Sequence, residues 1–369
     1  MDRKKNSLRS KLTAAVFAAI IGFFFILSFI LSPPAFLRSE RRVPVKLPSF
    51  SAKTVLSGEF TDKFESYAAD KIPFREELRT LRAAAVLFVF MQSDKDGLYR
   101  TSEGVGKFEL LDSASAEQVA DKIKKIADDL PDLNIYYAFI PDKSIYYGEN
   151  RFPGFDSAAA ERLMTGRPGM DRFTFIPLTD VLNAGCFYKT DLHWDQTKIS
   201  GVSDAFGAAM GFEVDLSGYT KEYAGEFFGV YTGQLALPTE SDSLYYLSSP
   251  FLTAEYLNEK TLKPESASVY FAEGFTGNDP YDIFLRGPQP LVVLENKNVF
   301  TGRELYIFRD SFSSCLAPIL ASAYAKVTLI DLRYLDAHML DRFVDFKAGS
   351  DVLFLYSSQI LNNSSALQA

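Results

Sequence analysis

In 369 residues the chain has two histidines, two cysteines and one tryptophan, and each shortage closes a possibility. Two cysteines are too few for a disulfide scaffold, which leaves Cys186 and Cys315 as one bridge or as two buried thiols. Two histidines, His193 and His338, bring too few ligands for a metal centre, and neither a metal nor a cofactor is expected. No P-loop or dinucleotide glycine pattern stands where a strand-to-helix turn would require it. Basic charge is short as well. Residues 1 to 11 carry five basic groups against Asp2, a net of +4, so the total of −8 leaves −12 on the remainder. A nucleic-acid partner is thereby disfavoured, because polyanion binding needs a positive surface.

Long uncharged runs are missing too, with one exception. Leu12 to Leu31 is 20 residues without a charge, the length needed to cross the hydrocarbon core of a bilayer. Arg3, Lys4, Lys5, Arg9 and Lys11 precede it, Arg38, Arg41, Arg42 and Lys46 follow it, and no small-x-small cleavage site comes after Leu31. The expected organisation is a cytoplasmic tail (1–11), an uncleaved single-pass transmembrane anchor (12–32) and everything beyond it outside the cytoplasm. Val43 to Phe50, with Pro44 and Pro48, reads as a tether. Phe60, Phe64 and Tyr67 at helical spacing, then an amphipathic run from Glu76 to Phe90, read as a membrane-proximal helical arm within residues 33–100. The Ala83 to Met91 end of that arm is expected to dock on the core rather than on lipid.

From Thr101 the chain has roughly 270 residues with which to bury a large core, the domain 101–369. Val119, Ile123, Ile126 and Leu130 mark one face of a helix, and Asn134 to Ile140 is a compact apolar strand. Similar short runs recur at Arg172 to Leu178, at Glu304 to Phe308 with a helix after Ser311, at Lys326 to Leu332 with a helix through Phe346, and at Asp351 to Tyr356. Strands that are apolar throughout belong to sheets covered on both faces, so the pattern predicts an α/β fold with an open, mostly parallel, doubly wound sheet. Residues from about 211 to 287, dense in Gly, Tyr and Phe, break the rhythm and read as an inserted strand-and-loop region that walls the site.

Scarcity also points to a site. One of the two histidines and the only tryptophan stand together in Tyr188-Lys189-Thr190-Asp191-Leu192-His193-Trp194. Imidazole takes and returns a proton near neutrality, and a nearby carboxylate can hold its tautomer, so Asp191-x-His193 reads as a base and its orienter or as a hydrogen-bonded structural pair. In an open parallel sheet ligands sit beyond the carboxyl ends of the strands. There, after Glu304 to Phe308, stands Arg309-Asp310-Ser311-Phe312, a strand-to-helix turn at which Ser311 is either an exposed nucleophile or a helix cap. As a nucleophile it would also place its own backbone N–H at an oxyanion.

Phe187 to Trp194, followed about 120 residues later by Arg309-Asp310-Ser311-Phe312, resembles the bacterial DHHW family and its relatives, the alginate O-acetyltransferases of the SGNH-hydrolase-like class. Leu56 to Phe60 with Asp70 to Arg75, Ile140-Pro141-Asp142-Lys143, Ile330 to Tyr334, and Val352 to Ser357 with Leu361 to Ser364 are similar to DHHW stretches in the same order. The resemblance implies an SGNH-like domain with a triad of Asp191, His193 and Ser311. It also implies transfer or removal of acetyl groups on extracytoplasmic polysaccharide, a cell-envelope or exopolysaccharide role, with the acetyl donor supplied by a membrane acyltransferase. Leu192 replaces the first histidine of the family's name, and Leu285 to Gln289 departs from the Gly-Gly-Asn usual in that stretch, where Gly287 would serve an oxyanion.

Other polar residues carry smaller expectations. Arg333, after the Lys326 to Leu332 strand, either holds a sugar hydroxyl, carboxylate or oxyanion or pairs with Asp331 or Asp336. Asn362 offers a side-chain N–H to an oxyanion or makes a turn. Trp194 offers a face to a sugar ring or packs the histidine loop. His338 reads as a surface or capping residue. Three classes therefore stand at this point: an acyltransferase or acetylesterase, a catalytically silent polysaccharide-binding or assembly protein of the same fold, and a tethered structural component of the envelope.

Overall fold

The computed structural model describes residues 2–37, 39–148, 154–277 and 279–369; Arg38, counted above among the basic residues after the apolar run, lies outside them. The chain divides into two units, residues up to Lys95 with Gly233–Pro238, and Asp96–Thr232 with Thr239–Ala369.

In the first unit a helix runs from Asp2 to Ile30, and its Arg9–Ile30 portion is long and apolar enough to span a membrane or to be a signal sequence. The helices Glu59–Asp70 and Arg75–Ala84 follow, the second ending in a π-helical turn over Ala85–Val89. Arg42 grips the buried Asp70 through two bonds of 2.7 Å, and Val45 N–H adds a third at 2.9 Å. The rings of Phe50, Phe60, Phe64 and Tyr67 pack in series, with centroids 5.3 to 6.2 Å apart. Of the Ala83 to Met91 run only Ala83 is buried, while Phe88, Val89, Phe90 and Met91 stand exposed.

The second unit begins with a hairpin of β1 (Leu98–Arg100) and β2 (Val105–Lys107), and continues with β3 (Asn134–Ile140) and β4 (Thr174–Phe175). Next come β5 (Thr220–Phe227), β6 (Asp242–Ser248), β7 (Leu252–Leu257), β8 (Pro264–Ala267) and β9 (Leu291–Asn296). The last strands are β10 (Glu304–Arg309), β11 (Lys326–Ile330) and β12 (Asp351–Ser357). An eight-stranded sheet has the order β4-β3-β12-β10-β11-β9-β7-β8, parallel from β4 to β11 and antiparallel beyond. The five apolar runs are its parallel part. Residues alternate strictly between two cores. Leu305, Ile307, Leu353 and Leu355 face one with Val202, Phe206 and Leu316, whereas Tyr306, Phe308, Val352 and Phe354 face the other with Val119, Ile123 and Met164. Phe308 and Phe354 are register partners with stacked rings 4.6 Å apart, an aromatic pair worth about 0.5–1.5 kcal/mol beyond its burial.

Three features depart from the expectation. Residues 211–287 are not wholly an insertion, since β7 and β8 extend the main sheet while β5 and β6 pair separately. β4 is two residues long rather than the run Arg172 to Leu178, because Pro177 has no N–H to give the ladder. The helix expected through Phe346 is a 3-10 segment, Ala337–Arg342. Its first N–H is taken by the C-terminal tail, Ala337 N–H donating to the Gln368 carbonyl at 2.9 Å.

Candidate active site

Ser311 follows β10 and precedes the helix Ser313–Leu320. The turn is shaped by Asp310, whose buried carboxylate accepts the Phe312 N–H at 3.1 Å and, across the sheet, the Ser357 N–H at the end of β12 at 2.7 Å. Asp310 thus does the local capping, which frees the Ser311 hydroxyl. Among the described residues the Ser311 N–H has no acceptor. Its Oγ lies 2.8 Å from His193 Nε2.

The histidine loop closes on itself as a narrow hairpin, Tyr188 N–H donating to the His193 carbonyl at 3.0 Å beside the Phe187 to Trp194 bridge. Asp191, fully buried, accepts His193 Nδ1 at 2.7 Å and the His193 N–H at 3.1 Å on one oxygen, and the Val230 N–H at 2.8 Å on the other. A carboxylate only accepts, so Nδ1 carries the hydrogen and Nε2 faces Ser311 as acceptor. The imidazole is flanked by Tyr281, stacked at 3.8 Å and 7°, and by Phe312 at 4.9 Å. Separations of this size let a base take a serine proton while its orienter holds the ring.

Trp194 ties the two segments together. Its indole N–H donates to the Phe312 carbonyl at 2.9 Å, and its ring meets Phe312 edge to face at 5.4 Å. With no exposed surface it is a packing residue, and the sugar-facing role considered for it is corrected. Arg333 does not reach out either; it forms a two-point ion pair with Asp331, at 2.9 and 2.6 Å. Gly287 is corrected as an oxyanion donor, because its N–H is spent on the Phe284 carbonyl at 3.2 Å. It sits in a left-handed turn (φ 74°), where a Cβ would strike the Asp282 carboxylate at 2.3 Å. Asn362 is corrected too. Its amide bridges the Leu110 carbonyl and the Asp112 N–H, both at 2.8 Å, pinning the segment ahead of the helix Ser113–Asp128. Leu192 packs on the core, and His338 is exposed with its N–H on Asp336.

Cys186 and Cys315 are both free and buried, and burial pushes the Cys315 thiol up to about 12, which leaves it no thiolate to compete with Ser311. Among the described residues no group of three or more His, Cys, Asp or Glu could hold a metal ion. Several supporting residues carry no local signal in the sequence: Tyr281 under the imidazole, Val230 on Asp191, and Asp242 on the loop backbone. Lys143 was readable only as the end of the Ile140 to Lys143 stretch after β3, with no role of its own.

Fold and site together define a class, an α/β protein that presents a serine, a histidine and a carboxylate at the carboxyl edge of a mostly parallel sheet. Within it the chain is similar to a DHHW family protein of Eubacterium siraeum, at TM-score 0.60 and 18% identity over 74% of this chain and 94% of that one. It is also similar to Bacillus cereus PatB1, at TM-score 0.57 and 17% identity over 74% and 99%, and to PatB1 with a sulfonyl adduct, at TM-score 0.55 and 15% identity over 72% and 96%. At these identities the likeness is one of fold. No family model and no curated protein matches the chain by sequence.

Proposed function

We propose that the chain is a serine acyltransferase or acetylesterase, anchored at the membrane by its N-terminal helix with the α/β unit outside the cytoplasm. Its substrate class is the acetyl ester of a cell-surface or exported polysaccharide. The observation that carries the reading is the Ser311 Oγ to His193 Nε2 approach of 2.8 Å, with Asp191 on Nδ1 at 2.7 Å. Ser311 attacks the acetyl carbonyl as His193 takes its proton, and the Ser311 N–H stabilises the oxyanion. Collapse expels the donor's leaving group, which receives the proton from His193, and leaves acetyl-Ser311. A sugar hydroxyl, deprotonated by His193, then accepts the acetyl group; water in its place gives hydrolysis. The acetyl chemistry and the glycan come from the motif resemblance, and the fold shared with PatB1, a protein solved with a sulfonyl adduct, supports covalent capture.

Incubation with an activated acetyl ester should give an acetyl adduct on Ser311 by mass spectrometry, and a fluorophosphonate should label the same residue. If neither reagent modifies the wild-type protein, a polysaccharide-binding or assembly role replaces the enzymatic one. Protease added to intact spheroplasts should digest the α/β unit; protection would reverse the topology.

A further inference from the structure

Three carbonyl oxygens of the histidine loop converge on one ammonium. Lys143, just after β3 and fully buried, donates from Nζ to the carbonyls of Tyr188 at 2.8 Å, Lys189 at 3.1 Å and Asp191 at 2.7 Å. An ammonium has three N–H donors, and the loop uses all of them. The amide side is held by the opposite charge. Asp242, the first residue of β6 and also buried, accepts the Lys189 N–H at 2.8 Å, the Thr190 N–H at 2.7 Å and the Thr190 hydroxyl. Each buried charge is directed at peptide groups of the same short run; of the three carbonyls only that of Lys189 has another backbone donor, the Val105 N–H at 2.8 Å.

We propose that Lys143 and Asp242 are positioning residues, a two-charge clamp on backbone 188–191 that sets Asp191 and His193 against Ser311 and holds fully only while Lys143 is protonated. Its catalytic consequence rests on the serine reading above; its geometric consequence does not.

The charged groups around Lys143 define when the clamp lets go. Burial pushes its ammonium down to about 8, while the carboxylates of Asp142 on its own segment, Asp191 on the loop and Asp242 on β6 pull the other way. The rings of Tyr147 and Tyr231 lie 5.9 and 5.1 Å from Nζ, and burial raises both phenols, so they stay neutral across this range. Burial raises the carboxyls of both Asp142 and Glu109, and the Asp142 charge pushes Glu109 further in the same direction. The sign follows from linkage. A lysine whose folded value lies below the unfolded value of about 10.4 releases a proton on folding between the two, so this group makes the fold more stable, not less, as pH rises from about 8 to 10. A neutral amine nevertheless has only two N–H donors for three carbonyls. Alkaline pH therefore loosens the loop without this group unfolding the protein.

The test uses the full chain in detergent and follows the rate of fluorophosphonate labelling at Ser311 from pH 6 to 10, where Oγ displaces fluoride. Wild type should slow above about pH 8, and Lys143→Arg, which stays charged, should lose that slowing even if its planar fork lowers the rate. Lys143→Met and Asp242→Asn should be slower at pH 7, by up to about 100-fold, the effect of an ångström of misplacement. In parallel, nitrogen-labelled histidine NMR reads the His193 Nδ1 proton, with His338→Gln giving the assignment; Lys143→Met should shift or broaden it. Wild-type labelling rate and pH profile in Lys143→Met would overturn the clamp. Should wild type fail to label at all, the serine reading falls, and an unchanged His193 signal in Lys143→Met overturns the clamp separately. If Lys143→Met does not fold, Asp242→Asn and Lys143→Arg carry both measurements.

Discussion

The turn at Ser311 and the loop at His193 meet within one hydrogen bond, yet they are built in different ways. The turn draws mainly on its own neighbours: Asp310 holds Phe312, the Asp310 carbonyl holds Ser313, and a helix begins at once. Its long-range bonds are Asp310 to Ser357 and, from the histidine loop, Trp194 to the Phe312 carbonyl and His193 to the Ser311 hydroxyl. The loop has no regular structure of its own. Its backbone partners come from Lys143, 45 to 48 positions away, from Asp242, 52 or 53 away, and from the N–H groups of Val105 and Tyr231, while Gly229 and Val230, 39 away, reach the side chains of Thr190 and Asp191. A strand-to-helix turn satisfies its peptides by continuing into a helix, whereas a buried irregular loop must recruit charges and close packing from elsewhere. The loop should therefore respond to substitutions far from it in sequence at more positions than the turn does.

The sharpest break in that comparison is removal of the bond where the two meet. Ser311→Ala should abolish the acetyl adduct, and His193→Ala should slow it by about 10⁴-fold or more while the fold survives, read by mass spectrometry after incubation with the ester. An unchanged rate in His193→Ala would mean that loop and turn do not act together. Trp194→Ala should come next. It removes the buried indole that joins the two segments, at a cost of about 3–5 kcal/mol in thermal unfolding.

Gly229→Ala tests the loop's dependence on remote packing. A Cβ there would lie 2.2 Å from the Thr190 carbonyl oxygen and 2.4 Å from Asp191 Cβ. Overpacking of this kind costs about 1–3 kcal/mol, and Ser311 labelling should slow as Asp191 is displaced; a wild-type rate would contradict the recruited-loop picture. The smallest effect is expected at Asn362→Ala. It breaks two bonds to residues 110 and 112, for about 1 kcal/mol by denaturant titration, and should leave labelling untouched because the amide serves a helix start and not an oxyanion.

Much of this was open to reading along the chain. β3, β10 and β12 are apolar or aromatic at every position between their first and last residues, and β11 at all but Thr328, as strands covered on both faces must be. β7 alternates buried and less buried residues and β8 has none buried, so their pull toward the sheet is weak and they read as part of an insertion. Asp191, His193 and Ser311 could be nominated by rarity and by position after strands. Tyr281, Asp242 and Gly229 could not, since an aromatic, an acid and a glycine are common in any loop.

The sequence by itself determined the apolar N-terminal helix, the alternation that sends Ile307 and Phe308 into opposite cores, and the capping carboxylate beside Ser311. These are effects of period, length and near neighbours, which a chain expresses before it folds. Only the tertiary structure decided that β12 would lie between β3 and β10, that Lys143 and Asp242 would close on the same peptides, and that residues 118 positions apart would share a proton path. The reason is physical: each of those contacts becomes favourable only once others have closed the intervening chain and excluded water, so no local stretch can encode it alone.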